Sequence, residues 1–363
     1  MRRLRIFYDY EAFSDQSRGG ISRYVLELAT RVATEAEICL YAGVHRSHAL
    51  RDISVPWVRG RYFPAWPRTG ELRRWFNTLL TRRAIDRFRP DIVHRTYYRA
   101  AADYRGRHRD VVTLHDLTCF HFPGEFPSLR LMQNRIRQAT ARADRVICVS
   151  HQTSADAASL LAIPTRKLNV IHHGVTCVKK SSFPPDAANP YLLFVGQRAG
   201  YKNFVMVLEA LAAEPSLAGL ELLAFGDRPF SQSEQALIAR FGLTSRVRWA
   251  AGNDGTLATA YRHATALVYP SLYEGFGLPP LEAMSGGCPV VCSNRGSLPE
   301  VVGKAAFIFD PAIAGELGRA LKQIITSPET VAQLRSKGFT QAALFSWDRC
   351  AAETLALYRT LAD

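Results

Sequence analysis

The chain has 363 residues, 47% hydrophobic and 21% charged, with 46 Lys and Arg against 32 Asp and Glu and a net charge of +14. That length exceeds one comfortable core, so two domains are expected, and the composition excludes a disordered or fibrous chain. No run reaches the roughly 18 apolar residues of a membrane span, no leader-like apolar region follows Met1-Arg-Arg-Leu-Arg, and seven scattered cysteines without a Cys-x-x-Cys read as buried thiols in a reducing cytoplasm rather than disulfides or zinc ligands.

Strand-like and helix-like stretches alternate from the N-terminus, as in parallel α/β proteins. Residues 5–10 read as a first strand and 14–20 as a loop ending in Gly19-Gly20. Glycine there lets the backbone approach a phosphate or sugar. The spacing is neither GxGxxG nor a Walker loop, however, and a plain tight turn fits it too. Ile21, Tyr24, Val25, Leu28 and Val32 recur at helical spacing. Strands are expected at 37–42, 91–97, 110–117, 145–150 and 167–172, with helices over 71–88, 128–142 and 151–161.

The positive charge is concentrated in this half. Residues 1–175 hold 29 Lys and Arg against 16 Asp and Glu, and the remainder is close to neutral. Its densest part, 57–89, carries Arg59, Arg61, Arg68, Arg73, Arg74, Arg82, Arg83, Arg87 and Arg89 against Glu71 and Asp86. Trp57, Tyr62, Phe63, Trp66, Trp75 and Phe76 are interleaved. A basic aromatic surface suits an anionic bilayer or a phosphorylated lipid. A solvated helix face over core aromatics has the same signature. No nucleic-acid partner is expected, because no recognition motif accompanies the charge.

His115-Asp116 sits toward the end of the expected 110–117 strand, and strand carboxyl ends face ligand crevices in such sheets. His115 can hydrogen-bond a sugar hydroxyl or be a satisfied structural histidine. Asp116 can act as a base or cap the next turn. His172-His173-Gly174 reads as hinge structure more than chemistry. There is no HExxH and no DxD pair, so no bound metal is expected.

Pro, Ser and Asn punctuate 176–190 and mark a linker between a domain at 1–175 and one at 191–346. Strands are then expected at 191–195, 221–225, 246–250, 266–270, 289–293 and 305–309. Helices are expected over 203–213, 231–241, 254–264, 279–286, 312–326, 328–344 and 348–361. Gly196-Gln197-Arg198-Ala199-Gly200-Tyr201-Lys202-Asn203 follows the first of these strands. Arg198 and Lys202 thus stand at a strand end before a helix, where cations are poorly placed unless an anion binds. Fixed cations there would stabilise a departing nucleoside diphosphate.

Ser271-Leu-Tyr-Glu-Gly-Phe-Gly-Leu-Pro-Pro-Leu-Glu-Ala-Met284 is the most informative stretch. Pro279 suits a first helical turn. The helix amides then point into a glycine-rich turn, a seat for phosphate or sugar groups. Glu274 and Glu282 bracket that turn. Carboxylates beside an anion seat make sense if they hold hydroxyls, and a nucleotide sugar offers both phosphates and hydroxyls.

This block, with Gly19-Gly20-Ile21, His115-Asp116-Leu117, the Arg198 and Lys202 pair and Pro289-Val-Val-Cys-Ser293 in matching order, resembles the retaining glycosyltransferases of family 4. The likeness runs from residue 4 to about 361 and is weakest over 45–90. It implies a GT-B fold: two Rossmann-like domains facing across a cleft, with a C-terminal helix at 347–363 crossing back to the first. It implies that Glu274 contacts hydroxyls of the transferred sugar, that amides around Phe276, Gly277 and Leu278 hold sugar and diphosphate, and that Glu282 accepts from ribose hydroxyls. Arg198 and Lys202 would clamp the diphosphate, Gly19 and Gly20 would approach from the other domain, and His115 would touch the sugar. In many relatives the arginine and lysine stand five or more residues apart; here the gap is four. The motifs look most like bacterial mannosyltransferases of surface-polysaccharide and O-antigen pathways. That implies a nucleotide-sugar donor, GDP-mannose with a UDP-hexose as the alternative, and no cofactor. The implied acceptor is a lipid-linked or lipopolysaccharide saccharide at the cytoplasmic membrane face. Sugar-nucleotide epimerases and phosphorylases share this fold.

Overall fold

Parallel strands covered on both faces need apolar side chains pointing both ways. Ile6-Phe7-Tyr8 and Val290-Val291-Cys292 have that character, and all six are fully buried. In the computed structural model, which describes residues 2–14, 19–51, 53–64, 70–98, 106–176, 190–198 and 200–363 (backbone alone for Glu71 and Arg74), the chain divides into two units. One comprises Met1–Gly174 with Trp347–Asp363, the other Val175–Ser346.

The first unit is built on β1 (Arg5–Tyr8), β2 (Glu37–His45), β3 (Val58–Tyr62), β4 (Ile92–Arg95), β5 (Arg109–Leu114), β6 (Arg145–Cys148) and β7 (Leu168–Val170). They form one parallel sheet in the order β3-β2-β1-β4-β5-β6-β7. Ile6 pairs with Ile38 on one side and Ile92 on the other. The Gly20–Val32 helix turns Tyr24, Val25, Leu28 and Val32 inward, as its periodicity requires. The Trp347–Ala362 helix contributes Trp347, Leu355 and Tyr358 to the same core cluster. Each such side chain, fully buried, is worth roughly 1.5–3 kcal/mol.

The second unit holds β8 (Tyr191–Val195), β9 (Glu221–Phe225), β10 (Val247–Ala250), β11 (Ala266–Tyr269), β12 (Val290–Ser293) and β13 (Phe307–Phe309), again parallel, in the order β10-β9-β8-β11-β12-β13. The Phe204–Ala213 and Glu316–Thr326 helices bury Phe204, Leu208, Leu317 and Leu321 with Leu192, Phe194 and Val268. The strand order reverses between β8 and β11. Loops leaving a sheet at such a reversal splay apart and open a ligand crevice. The loop after β8 carries Arg198 and Lys202, and the loop after β11 carries Glu274.

Several boundaries differ from expectation. The 91–97 and 110–117 strands stop at Arg95 and Leu114, so His115 and Asp116 lie in the loop beyond β5. β3 was not expected. It is an edge strand whose Arg59, Gly60 and Arg61 are exposed, so no alternation of apolar residues announces it. Gly60 is needed there, because a Cβ would come within 2.8 Å of the Gly43 carbonyl. Short helices at Glu11–Ser14, His48–Arg51, Thr118–His121 and Leu298–Val302 were also not anticipated. Residues 15–18 of the expected loop, 65–69 of the basic segment and 177–189 of the expected linker lie outside the described residues.

Candidate active site

β11 ends at Tyr269, and the chain turns through Ser271–Gly277 into the Leu278–Ser285 helix. Gly277 caps that helix at φ 110°, where any side chain would be strained and a Cβ would sit 3.0 Å from Leu298 Cδ2. Pro279 and Pro280 occupy the first turn. The turn is pinned from behind. Ser297 Oγ donates to the Phe276 carbonyl at 2.7 Å and lies 3.0 Å from the Glu274 carbonyl, to which Ser297 N–H also donates. Gly296 backs against it so closely that a Cβ would meet Glu274 N at 2.8 Å. The Phe276 ring packs edge-on against Phe345.

Glu274 and Lys202 meet on this turn. Lys202 Nζ lies 2.5 Å from Glu274 Oε1, with 13% of each side chain exposed. The ammonium also donates to Tyr269 Oη at 3.3 Å and lies 5.2 and 5.3 Å from the Tyr201 and Tyr269 ring centres. Burial, and then the Glu274 carboxylate, push Tyr269 well above its usual pKa, so the phenol stays neutral. Leu272 N–H donates to the Tyr201 carbonyl at 2.7 Å and ties the two loops together. Glu282 stands on the helix that follows, and Tyr261 Oη donates to its Oε2 at 3.1 Å.

Arg198 does not share that partner. Its Nε donates to Glu234 Oε1 at 2.6 Å, and its Nη2 to the carbonyls of Arg228 and Pro229 at 2.9 and 3.0 Å. The guanidinium lies 4.9 Å from the Phe230 ring centre. Glu234 is the third residue of a capping box, accepting also from Ser231 N–H at 2.7 Å. Burial raises the Glu234 pKa, but the hydrogen bonds from Arg198 and Ser231 outweigh it and the net shift is downward. Nη1 is the one guanidinium nitrogen left without a protein acceptor among the described residues. Beside it, a Cβ on Gly226 would come within 2.8 Å of the Gly196 carbonyl, so only glycine lets these strand ends approach.

In the first unit Gly19 caps the Gly20–Val32 helix in extended backbone, and Gly20 is exposed at its first turn. His115 is buried just past β5. Its backbone N–H donates to Tyr98 Oη at 2.7 Å, and its ring Nε2 is buried with no hydrogen-bond partner. The ring stacks on His173 at 5.6 Å and meets Tyr24 edge-on at 5.3 Å. Burial drops its pKa to about 3, so it is a neutral imidazole at pH 7. Asp116 accepts from Thr118 N–H at 2.9 Å and thus caps the next turn, one of its two expected roles. His173 was read as hinge; it lies buried against His115, a contact that only the sheet order could reveal. Glu234 and Tyr269 were also missed, since nothing local marks either.

Comparison with known proteins agrees with this layout. Residues 18–179 match the family described as Glycosyltransferase Family 4, and 178–341 match Glycosyl transferases group 1. O-antigen chain mannosyltransferase B of Escherichia coli is 29% identical over 94% of this chain and 96% of its own. The MMP alpha-(1->4)-mannosyltransferase of Mycolicibacterium hassiacum is 30% identical over 62% of this chain and 56% of its own. Among solved structures, sucrose-phosphate synthase from Thermosynechococcus elongatus superposes with a TM-score of 0.80 at 21% identity, covering 99% of both chains. Anabaena Alr3699/HepE in complex with UDP and glucose gives 0.76 at 22%, covering 98% of this chain and all of that one. The fold is GT-B.

Proposed function

Because this chain belongs to the glycosyltransferases that pair a family 4 with a group 1 domain, we propose that it moves mannose from GDP-mannose onto a lipid-linked or lipopolysaccharide saccharide, with retention and without a metal. The observation that carries the reading is the Lys202–Glu274 pair on a glycine turn at the strand-order reversal. An ammonium beside a carboxylate matches a ligand with phosphate next to hydroxyls. The mannosyltransferase relatives support the choice of sugar.

In this reading Lys202 moves from Glu274 to the diphosphate, and Glu274 takes hydroxyls of the sugar. Phe276, Gly277 and Leu278 offer backbone amides, and Glu282 accepts from the ribose. Arg198, held by Glu234, offers Nη1 to the leaving phosphate. His115, Gly19 and Gly20 keep their assignment to the sugar side. The acceptor hydroxyl attacks the anomeric carbon from the face of the departing diphosphate. The bond from that carbon to the phosphate oxygen breaks, and this oxygen takes the hydroxyl proton. The acceptor is expected at the cytoplasmic face of a membrane; among the described residues no helix is long and apolar enough to cross one.

A thermal-shift panel of GDP, UDP and ADP tests the donor, since a ligand at 100 times its Kd adds about 2.7 kcal/mol. GDP should raise the melting temperature and the others should not. A response to UDP alone reassigns the donor, and no response to any removes the nucleotide-sugar reading. Release of free sugar product from donor alone, without acceptor, would point to epimerase chemistry.

A further inference from the structure

The Gly70–Phe88 helix is inside out over its first half. Leu72, Trp75, Phe76 and Leu79 stand at i, i+3, i+4 and i+7 and share one face. They are 59%, 61%, 46% and 41% exposed. The opposite face, turned into the protein, carries Arg73, Asn77 and Thr81, with Ile85 and Phe88 taking over in the second half. A helix that only packed on its sheet would reverse this.

The helix cannot roll over to correct it. Asn77 is locked to β2: its Oδ1 accepts from Val44 N–H at 2.8 Å and its Nδ2 donates to the Val44 carbonyl at 3.0 Å. Thr81 Oγ1 donates to the Asn77 carbonyl, and Tyr10 Oη meets Thr78 Oγ1 at 2.8 Å. Gly43, at φ +57°, lies against Asn77 so tightly that a Cβ would collide with Oδ1. The apolar stripe is therefore held outward by a polar anchor.

What surrounds the stripe selects its occupant. Arg82, Arg83 and Arg87 are exposed along the same helix, and Arg59 and Arg61 on β3, which also pairs with β2. Phe63, 44% exposed, follows β3. Arg73, which sequence alone would enlist as a docking cation, is 7% exposed and cannot reach a headgroup. An apolar ridge with aromatic rings, rimmed by guanidiniums, is the pattern of a helix lying in a bilayer interface.

We propose that the first half of the Gly70–Phe88 helix inserts Leu72, Trp75, Phe76 and Leu79 into the surface of an anionic lipid bilayer, with Arg82, Arg83 and Arg87 on the headgroups. This deepens the proposed function, resting on it only for the expectation that the acceptor is membrane-borne. Insertion, unlike attraction by arginines alone, leaves a component of binding that salt does not screen.

The test is flotation of the full chain with phosphatidylcholine vesicles, with and without phosphatidylglycerol, at low salt and at about 0.5 M NaCl, where surface charges are largely screened. The variants are Leu72→Ser/Trp75→Ser/Phe76→Ser/Leu79→Ser and Arg82→Gln/Arg83→Gln/Arg87→Gln. Wild type should bind anionic vesicles and keep part of that binding at high salt. The stripe variant should lose roughly tenfold or more at both salts, and the arginine variant mainly at low salt. Both should keep the wild-type melting temperature and nucleotide-induced shift, which separates failure here from failure of the donor reading. Binding by the stripe variant equal to wild type overturns the proposal. So does a wild-type dimer in sedimentation that the stripe variant dissolves, since the occupant would then be a second copy. If the stripe variant fails to fold, the vesicle-induced shift in tryptophan emission decides the point: wild type should show a blue shift that Trp75→Ser lacks, and an equal shift in both overturns the proposal.

Discussion

Lys202 and Glu274 neutralise each other, and that has consequences for each taken singly. Removing one member of a buried pair leaves a charge in a poor environment, at a cost of up to roughly 3–5 kcal/mol. With 13% of each side chain exposed and two phenol rings around the ammonium, this pair belongs toward the low end. The two substitutions should differ in kind. Lys202→Ala removes the cation proposed to meet the leaving phosphate and should cut turnover by roughly a hundredfold or more while weakening nucleoside diphosphate binding. Glu274→Gln frees the ammonium, so diphosphate binding should hold or tighten while turnover still falls by about ten- to a hundredfold. Titrating GDP onto both variants by calorimetry checks this. If Glu274→Gln weakens GDP as much as Lys202→Ala does, the carboxylate is not competing for the lysine.

At the scale of elements, the Trp347–Ala362 helix is tied into the first unit by a chain of buried hydrogen bonds as well as by packing. His94 Nδ1 lies 2.5 Å from Tyr358 Oη and its Nε2 2.8 Å from Thr113 Oγ1. Tyr24 Oη reaches the same threonine at 3.1 Å, and Tyr358 Oη donates to Tyr8 Oη at 3.4 Å. One proton order satisfies all of them: Tyr24 donates to Thr113, Thr113 to His94 Nε2, His94 Nδ1–H to Tyr358, and Tyr358 to Tyr8. Tyr358→Phe leaves His94 Nδ1–H buried without an acceptor and should cost about 1–3 kcal/mol in urea unfolding of the first unit. Removing residues 347–363 strips Trp347, Leu355 and Tyr358 from its core and should abolish folding of that unit. A soluble, cooperatively folding truncation would contradict the packing described. None of this chain was legible beforehand, because it joins residues as far apart as Tyr8 and Tyr358. What could be read were features whose signals are local. The Leu278–Ser285 helix announces itself through Gly277, Pro279 and Pro280, and the Gly20–Val32 helix through its apolar spacing. Glu234 was invisible because its meaning lies in Arg198, 36 residues away. The basic helix was seen as a helix, but which of its faces turned inward depended on Asn77 finding Val44.

At the scale of the whole molecule, the two units should answer differently to acid. Nine of the ten histidines lie in the first unit, and His263 is the only one in Val175–Ser346. Burial drops His94 and His115 to about 3 and His173 well below its usual value. An unfolded histidine takes up its proton near pH 6.5, so below that value the unfolded first unit holds protons that the folded one refuses. Stability is then lost as pH falls from 6.5 toward 3 and is independent of these groups above 6.5. Asp9 opposes this. Burial pushes its pKa up despite hydrogen bonds from Thr96 and Glu11, so the folded unit holds a proton there more readily than the unfolded one. His45, lowered by burial as well, adds to the refused protons, and each proton by which these histidines outnumber Asp9 costs about 1.4 kcal/mol per pH unit inside that window. Urea unfolding from about pH 7 down to about 4.5 should resolve two transitions, with the first unit's midpoint falling steeply below pH 6 and the second unit's nearly level. His94→Gln, which deletes one of the refused protons, should flatten the first unit's slope by about a third to a half. A pH-insensitive first unit, or parallel loss in both, would mean that these imidazoles take up protons without unfolding and that the buried hydrogen-bond chain is not sealed from water.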